Sequence, residues 1–256
     1  MDKGIIYEQP LNERVRTFLR LAYLFRLNEH YMSGSTEWDI RSTLDNLLDI
    51  TDLISRTDIK NEVSKALEKH SSTLKSLQKN PDVDQQRLDF ILNDITNYLE
   101  ILKDKNCQPG LALKQDELVN AVKQRNAILG GSCNFDLPTY HCWLNQPHDE
   151  LRQSLDGWLL DLQIIKKSIF LIINLIRNSS NPTIELAEKG FFQKSLEKNI
   201  GCHLIRIILP IESSFYPEIS AGKHRFTVRF MEQINTTTRP IQVETNLNFN
   251  LHCCIL

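Results

Sequence analysis

The chain has 256 residues, of which 41% are apolar, and its 30 lysines and arginines nearly balance 32 aspartates and glutamates. This near-neutral charge does not favour a nucleic acid or an acidic membrane surface as a partner, and the length allows one large domain or two small ones. Six cysteines without a Cys-x-x-Cys pair indicate neither a zinc site nor a disulfide framework. No leader segment is apparent and the longest apolar stretch, residues 168–176, is too short to span a bilayer, so we expect a cytoplasmic protein.

The first predicted element is a strand at residues 4–8, because this segment is rich in β-forming residues and too short for a helix. Pro10 then begins a helix in which Arg16 and Arg20 lie one turn apart and point away from the apolar face. The apolar residues of that face are Leu11, Val15, Phe18, Ala22 and Phe25.

Three further helical patterns follow, at residues 40–54, 59–77 and 88–102. The last two have narrow, heptad-like apolar seams with charged flanks, which predicts a long helical hairpin. Arg56 falls at the end of the first pattern. A fifth helix is predicted at about residues 115–127 and the longest at about residues 148–178, where one apolar stripe continues for eight turns.

A two-glycine break separates the fifth helix from a short aromatic-rich helix, within the segment Gly130-Gly-Ser-Cys-Asn-Phe-Asp-Leu-Pro-Thr-Tyr-His-Cys-Trp-Leu144. Paired glycines permit a tight turn or a close backbone approach. Asp136 is a suitable N-cap and Pro138 suits the first helical turn. His141 lies at the border of the apolar arc, so the segment is either a helix corner packed in a core or a functional element.

From Cys202 onward the apolar period falls to two. Residues 204–209, 224–230 and 242–253 are predicted strands, with a turn at Tyr216-Pro217. In the second strand Arg225 and Arg229 face the side opposite the apolar residues. The pattern predicts an α+β fold with a helical domain at residues 1–180 and a small antiparallel β-domain at residues 181–256, to which the strand at residues 4–8 adds a fourth strand.

The sequence contains no convincing active site, and neither a cofactor nor a metal is expected. Gly130-Gly-Ser-Cys lacks the Gly-Lys-Ser/Thr ending of a phosphate-binding loop. The alternative is an enzyme with a Cys133/His141 thiolate–imidazole centre, and a thiol alkylator would separate the two classes because a binding protein keeps its activity. Cys253-Cys-Ile-Leu256 formally fits a prenylation signal, but no polybasic segment precedes it and the cysteines continue the alternating strand, so a strand end is favoured.

A set of basic residues remains on the predicted elements. Exposed arginines are ordinarily solvated surface, but a cluster on rigid elements of a near-neutral chain favours a local basic groove that captures carboxylates. The residues are Arg16, Arg20, Arg56, Lys223, Arg225 and Arg229.

Three segments, spread in order over most of the chain, resemble the ZapD family of Z-ring-associated cell division proteins. They are Glu8-Gln-Pro-Leu-Asn-Glu-Arg-Val-Arg-Thr-Phe-Leu-Arg20, the segment Gly130–Leu144, and Tyr216-Pro-Glu-Ile-Ser-Ala-Gly-Lys-His-Arg-Phe-Thr-Val-Arg-Phe-Met231. The paired Cys253-Cys254 also fits. Glu117, which stands where the family has a basic residue, and the Ile255-Leu256 extension depart from the pattern.

The resemblance implies a helical domain, a β-domain and a symmetric homodimer without enzymatic activity. It further implies binding to the C-terminal tail of FtsZ, cross-linking and bundling of FtsZ filaments that stabilise the Z ring, and recruitment to the division site at mid-cell. The residues at positions that are basic in the family are Arg16, Arg20, Arg56, His141, Arg225 and Arg229.

Overall fold

The structure is a computed structural model that describes residues 4–81, 83–196, 201–222 and 224–255. The predicted α+β fold is confirmed, because helices fill the N-terminal part and antiparallel sheets the C-terminal part. The chain divides into two compact units. Met1–Arg16 and Ile173–Leu256 form a β-sandwich unit, and Thr17–Ile172 form a helical unit.

The helices are α1 Glu13–Met32, α2 Glu37–Ser55, α3 Ile59–Leu77, α4 Gln85–Lys103, α5 Leu111–Gln115, α6 Glu117–Asn126, α7 Pro138–Leu144, α8 His148–Leu160 and α9 Gln163–Arg177. The strands are β1 Gly4–Pro10, β2 Thr183–Ala187, β3 Phe191–Ser195, β4 Leu204–Pro210, β5 Phe215–Ala221, β6 Arg225–Glu232, β7 Ile241–Gln242 and β8 Leu247–Cys254.

The prediction of a single long helix at residues 148–178 is wrong, because a turn at Asp161 separates α8 from α9. The carboxylate of Asp161 accepts a hydrogen bond from the backbone N–H of Ala112 at 3.0 Å, at the start of α5. The Leu162 N–H donates to the Leu159 carbonyl, an i to i−3 bond that tightens the last turn of α8. Both helices bury apolar residues next to this turn. The apolar stripe in the sequence therefore continues across the turn and does not reveal it.

The helix start predicted at Pro10 is also wrong. Pro10 ends β1, and α1 begins at Glu13 because the side-chain oxygen of Asn12 accepts from the Val15 N–H at 2.9 Å. The predicted fifth helix begins at Glu117, since the carboxylate of Asp116 caps α6 by accepting from the Val119 N–H.

The helical unit has the paired helices predicted at residues 59–102. Helices α3 and α4 pack against each other, and both present a buried apolar seam. An aspartate side chain caps the N-terminus of each: Asp58 accepts from the Asn61 N–H and Asp84 from the Arg87 N–H. The seam residues are Val63, Leu67, Leu74, Leu88, Leu92 and Ile95.

The β-sandwich unit contains two antiparallel sheets. The first has the strand order β1-β4-β8-β2, so the N-terminal strand pairs with β4, with Ile6 opposite Ile208. The second has the order β3-β6-β5, with β7 added to β6. The turn predicted at Tyr216-Pro217 is wrong, because both residues lie in β5. Pro217 is tolerated there because β5 is an edge strand, where one side of the backbone needs no ladder hydrogen bond.

Apolar residues on the inner faces of the two sheets form one core. The rings of Phe230 on β6 and Phe249 on β8 lie 5.0 Å apart between centroids, and Phe192 on β3 contacts Phe249 at 5.2 Å. Because strand side chains alternate, burial of every second residue of β6 directs the remaining ones to the outer face. The buried residues are Ala187, Ile205, Ile207, Leu209, Phe226, Val228, Phe230, Phe249 and Leu251.

An ion-pair network on the first sheet joins β1, β4 and the end of α9. The Glu8 carboxylate accepts from Arg177 Nε at 2.8 Å and Nη2 at 2.6 Å, and from Arg206 Nε at 2.9 Å. Arg206 also donates to the Arg177 carbonyl at 3.3 Å. All three side chains are largely buried, with exposed fractions of 13–23%. Among the described residues, Glu8 is the one carboxylate that pairs with either guanidinium group.

Replacing Glu8 by Gln should destabilise the protein by about 2–3 kcal/mol, because two largely buried guanidinium groups lose their anionic partner. Chemical denaturation of the wild type and the variant measures this difference. Glu13→Gln is the matched control, since the Glu13 side chain is 83% exposed and its loss should cost less than about 0.5 kcal/mol. Equal stability of the two variants would contradict the structural role of Glu8.

Candidate functional site

Arg225 and Arg229 lie on the outer face of β6, the central strand of the second sheet. Both side chains are exposed, and within the described part of the chain neither guanidinium group lies within ion-pair distance of a carboxylate. The buried Phe226, Val228 and Phe230 fix the register that turns the two arginines outward. The two charges therefore stand on a rigid strand and are available to a ligand.

Arg229 has two cross-strand neighbours on that face. Phe191 of β3 lies opposite it on one side and Glu218 of β5 on the other. Phe191 is 38% exposed and so places apolar surface beside the guanidinium group. The outer face thus combines two cations, an aromatic ring and one carboxylate.

The sequence analysis missed Phe191 because it did not predict β2 or β3. The sequence feature that indicates a turn between these two strands is the pair Lys189-Gly190, which lies between two segments rich in β-forming residues. Both residues have positive φ angles, 49° and 70°, and the Phe191 N–H donates to the Glu188 carbonyl at 2.9 Å, so they form a tight turn that leads from β2 in the first sheet to β3 in the second. A carbonyl of Val243 fills the space that a Cβ would need at position 190, so this position also requires glycine.

Arg16 belongs to the same unit, in the first turns of α1. Its Nε atom lies 3.1 Å from Glu13 Oε1, and the side chain is 38% exposed. The start of α1 is held beside β4, because the Leu11 N–H donates to the His203 carbonyl at 3.0 Å. Lys223, also predicted as a site residue, lies outside the described residues.

Three predicted site residues belong to the helical unit. Arg20 is exposed on α1, and Arg56 is exposed at the C-cap of α2, where a cation is favourable to the helix dipole. His141 is half-buried on α7, with its Nδ1 atom 3.4 Å from the side-chain nitrogen of Asn145. A single groove that combines these residues with Arg225 and Arg229 stays a prediction.

The two-glycine corner before α7 has a defined backbone. Gly130 has a φ of 71°, and a Cβ at Gly131 would collide with the Arg125 carbonyl oxygen. Asp136 does not cap α7, so that prediction is wrong. The N-cap is Leu137, and the Asp136 carboxylate instead accepts from the Cys133 thiol at 3.3 Å.

Arg41 of α2 holds this corner and was not identified from the sequence. Its guanidinium group donates to the Ser132 carbonyl at 3.1 Å and to Asn134 Oδ1 at 3.2 Å, and it pairs with Glu37 at 2.8 Å. The same group lies 4.9 Å from the centroid of the Tyr140 ring. Only 12% of the side chain is exposed, so Arg41 positions the helix that carries His141 rather than a ligand.

Tyr140 packs among aromatic rings under the corner. Its ring stacks on Trp143 at 5.8 Å, and Trp143 contacts Trp158 at 5.6 Å. Tyr140 is 1% exposed, burial raises the pKa of its phenol, and its hydroxyl group has no hydrogen-bond partner among the described residues. The interpretation of the segment as a packed helix corner therefore holds for Tyr140.

Tyr140→Phe should leave stability unchanged within about 1 kcal/mol or raise it, because the substitution removes a buried hydroxyl group without a partner. Tyr140→Ala should cost about 3–5 kcal/mol, because it leaves a cavity beneath Arg41. Urea denaturation of both variants measures the effects. A large loss in Tyr140→Phe would show that the hydroxyl group does have a hydrogen-bond partner.

The geometry does not favour the Cys133/His141 enzyme centre. The Cys133 thiol donates a hydrogen bond to Asp136, and the His141 ring contacts Asn145, so each side chain has a different partner. Among the described residues, no group of three or more histidine, cysteine or carboxylate side chains is arranged to hold a metal ion. None of the described helices has the length and apolar character needed to cross a bilayer.

These features define an α+β protein with a helical unit and a β-sandwich unit. Its candidate binding residues are basic, and they lie at helix ends and on the outer face of a sheet. The family model of ZapD, described as a cell division protein, matches residues 19–229, and the chain belongs to this family.

Relatives named cell division protein ZapD align over nearly the whole chain. The protein of Methylococcus capsulatus is 38% identical over 256 residues, which is 100% of both chains. That of Coxiella burnetii is 34% identical over 98% of this chain and 97% of its own length. That of Nitrosomonas eutropha is 39% identical over 89% of this chain and 90% of its own. A role in cell division follows from this membership.

Proposed function

We propose that the protein is a non-enzymatic division factor that binds the C-terminal tail of FtsZ and, as a homodimer, cross-links FtsZ filaments in the Z ring at mid-cell. The observation that carries the proposal is the pair Arg225 and Arg229, exposed on one face of β6 without carboxylate partners in the described structure. Membership of a cell division family supports the cellular role.

The spacing of the two arginines suits a peptide ligand. Four residues along a strand correspond to roughly 13 Å, so the two guanidinium groups make separate contacts instead of sharing one carboxylate. Phe191, directly opposite Arg229, offers apolar contact beside the charges. A short peptide with acidic and apolar side chains matches this arrangement, with charge-assisted contacts at the rim and an apolar contact at the centre.

Glu218 is a negative charge on the face where we propose that an acidic peptide binds. It faces Arg229 from β5, so an acidic tail on the outer face meets one like charge. Its effect is small because the carboxylate is exposed and screened by water. Two arginines against one glutamate leave the outer face of these strands net positive.

Arg16, Arg20, Arg56, His141 and Lys223 are proposed to complete the basic site. Arg56 and His141 lie near helix ends, and Arg20 is exposed on α1. A dimer carries two such sites. On a polymer that displays many tails, two weak sites on one dimer gain avidity through a high effective concentration, and they join filaments when each site takes a tail from a different one.

Arg229→Ala should weaken binding of a labelled FtsZ tail peptide on the order of tenfold, because a charge-assisted hydrogen bond contributes about 1.5–3 kcal/mol. Raised salt should weaken wild-type binding and have less effect on Arg225→Ala/Arg229→Ala, since screening acts on charges that the double variant lacks. Fluorescence anisotropy at low and high salt measures both effects.

Three further variants make this titration specific. Arg87→Ala removes an exposed arginine from α4 and should bind like the wild type, whereas Glu218→Gln should bind slightly more tightly. Phe191→Ala should lose affinity equally at both salt concentrations, because its contact is apolar. Equal affinity of the wild type and the double arginine variant at low salt would remove the β6 face from the site.

Co-sedimentation with FtsZ polymer tests the cross-linking role. The wild type should pellet with full-length FtsZ and increase low-speed pelleting of bundled filaments, and both effects should vanish when the last residues of FtsZ are removed. Sedimentation equilibrium of the protein alone should give a dimer. A species of only 29.7 kDa at micromolar concentration would contradict cross-linking by a homodimer.

A further inference from the structure

An exposed apolar surface lies at the two-glycine corner of the helical unit. Four large apolar side chains there, two aromatic and two aliphatic, have exposed fractions of 52–103%. They are Trp38 of α2 and Ile128, Leu129 and Phe135 of the corner, and we call this set the corner patch. A single exposed apolar residue is common on a protein surface, whereas a group of them indicates a surface that another molecule covers.

Arg41 joins the two parts of the corner patch. Its guanidinium group lies 5.7 Å from the centroid of the Trp38 ring, and it donates to Oδ1 of Asn134, the residue before the exposed phenylalanine, at 3.2 Å. One turn further along α2, Asp45 accepts a hydrogen bond from the side chain of Asn126 at 2.9 Å. Because α2 binds the segment on both sides of the glycines, the tryptophan and the corner residues lie on one surface.

The backbone of the corner is a series of tight turns. The Gly131 N–H donates to the Ile128 carbonyl at 2.9 Å, and the Cys133 N–H donates to the Gly130 carbonyl at 3.0 Å. Leu129 stands in the first of these turns with its side chain fully exposed. A surface that is already fixed loses little conformational freedom when it binds, which favours a stable contact.

The corner patch has the size of the apolar centre of a dimer interface. A large aromatic side chain covers about 150–250 Å², so Trp38 and Phe135 alone would remove roughly 300 Å² of each copy from water. The two aliphatic residues add to this area, and the largest apolar patch on a typical monomer is about 300–600 Å². One side of a standard interface covers about 800 Å², with an apolar centre and a polar rim.

The charges next to the two aromatic residues favour an apolar occupant. Glu37, beside the tryptophan, is paired with Arg41 at 2.8 Å, and Asp136, beside the phenylalanine, accepts from the Cys133 thiol at 3.3 Å. These carboxylates disfavour an acidic peptide, a nucleic acid or an anionic membrane. A second copy of the same apolar patch matches the surface, and in a two-fold contact every apolar residue contributes twice.

We propose that the corner patch is the interface of the homodimer, in which the corner patch of one copy packs against that of the other about a two-fold axis. This inference rests on the proposed function, which requires a dimer, and it adds the surface through which the copies meet. Aromatic residues at the centre of an interface commonly contribute most of its binding energy. The patch shares no residue with the proposed tail site, so dimerisation and tail binding can be measured separately.

The variant Leu129→Asp tests the proposal. It should leave the fold unchanged by circular dichroism, because the side chain is fully exposed in a single copy, but it places two carboxylates in the apolar centre of the dimer. Sedimentation equilibrium should show a dimer dissociation constant raised on the order of 100-fold or more. Bundling of FtsZ filaments should be lost, while each copy still binds the labelled tail peptide with wild-type affinity.

Two further variants make the measurement specific. Phe135→Ala should raise the dimer dissociation constant about tenfold or more, because it removes an aromatic contact from both copies. The matched control is Phe90→Ala, which removes an exposed aromatic side chain from α4 and should leave the dimer intact. Benzoylphenylalanine incorporated at position 129 should give a covalent dimer on irradiation, whereas the same group at position 90 should not.

A dimer that persists in Leu129→Asp would overturn the proposal, and so would a monomeric variant that has also lost the tail peptide. A wild type that is monomeric would overturn the dimer and leave tail binding untouched. Failure of a dimeric wild type to bind the tail peptide would instead contradict the proposed function, and the sedimentation results would still identify the dimer interface.

Discussion

One carboxylate determines how the two ends of the chain come together in the β-sandwich unit. Glu8 in β1 binds Arg177 at the end of α9 and Arg206 in β4, so it joins segments about 170 and 200 positions apart. Arg206 in turn donates to the Arg177 carbonyl, one of the acceptors that a helix C-terminus leaves unpaired. Three charges share this largely buried site, and β1 is therefore an integral strand of the sandwich. This contact adds to the seven-residue pairing of β1 with β4, and β4 carries residues of the core that both sheets share.

The sequence predicted the features that depend on simple periodicity. The strand at residues 4–8, the paired helices at residues 59–102 and the alternation around Arg225 and Arg229 all appear in the structure. Each of these segments repeats its apolar residues at the spacing of one face, and tertiary packing then buries that face. The outward orientation of the two arginines follows from the same alternation, since the core holds Phe226, Val228 and Phe230.

The features that escaped prediction depend on single polar contacts between distant residues. The Asp161 carboxylate accepts a hydrogen bond from the Ala112 N–H at the point where α8 ends and α9 begins. The two helices share one apolar stripe in the sequence, and no local pattern predicts this hydrogen bond. Arg41 binds the backbone of a corner 91 positions away, so its role emerges only when α2 and that corner meet. The tight turn between β2 and β3 did leave a local signal at Lys189-Gly190. Missing that turn also hid Phe191 and Lys194.

Strand β3 divides its side chains between the outer face of the second sheet and the interior between the two sheets. Phe191 lies opposite Arg229 and Ser195 opposite Arg225, so these residues belong to the outer face. Lys194 lies opposite the buried Phe226 and points inward, where it pairs with Glu185 beside Cys253. Because successive side chains of a strand alternate, substitutions at Phe191 leave the Lys194–Glu185 ion pair in place, and substitutions at Lys194 leave the outer cations in place. The outer cations and the inner ion pair therefore lie on opposite faces of this part of the sheet, and each can be changed without altering the other.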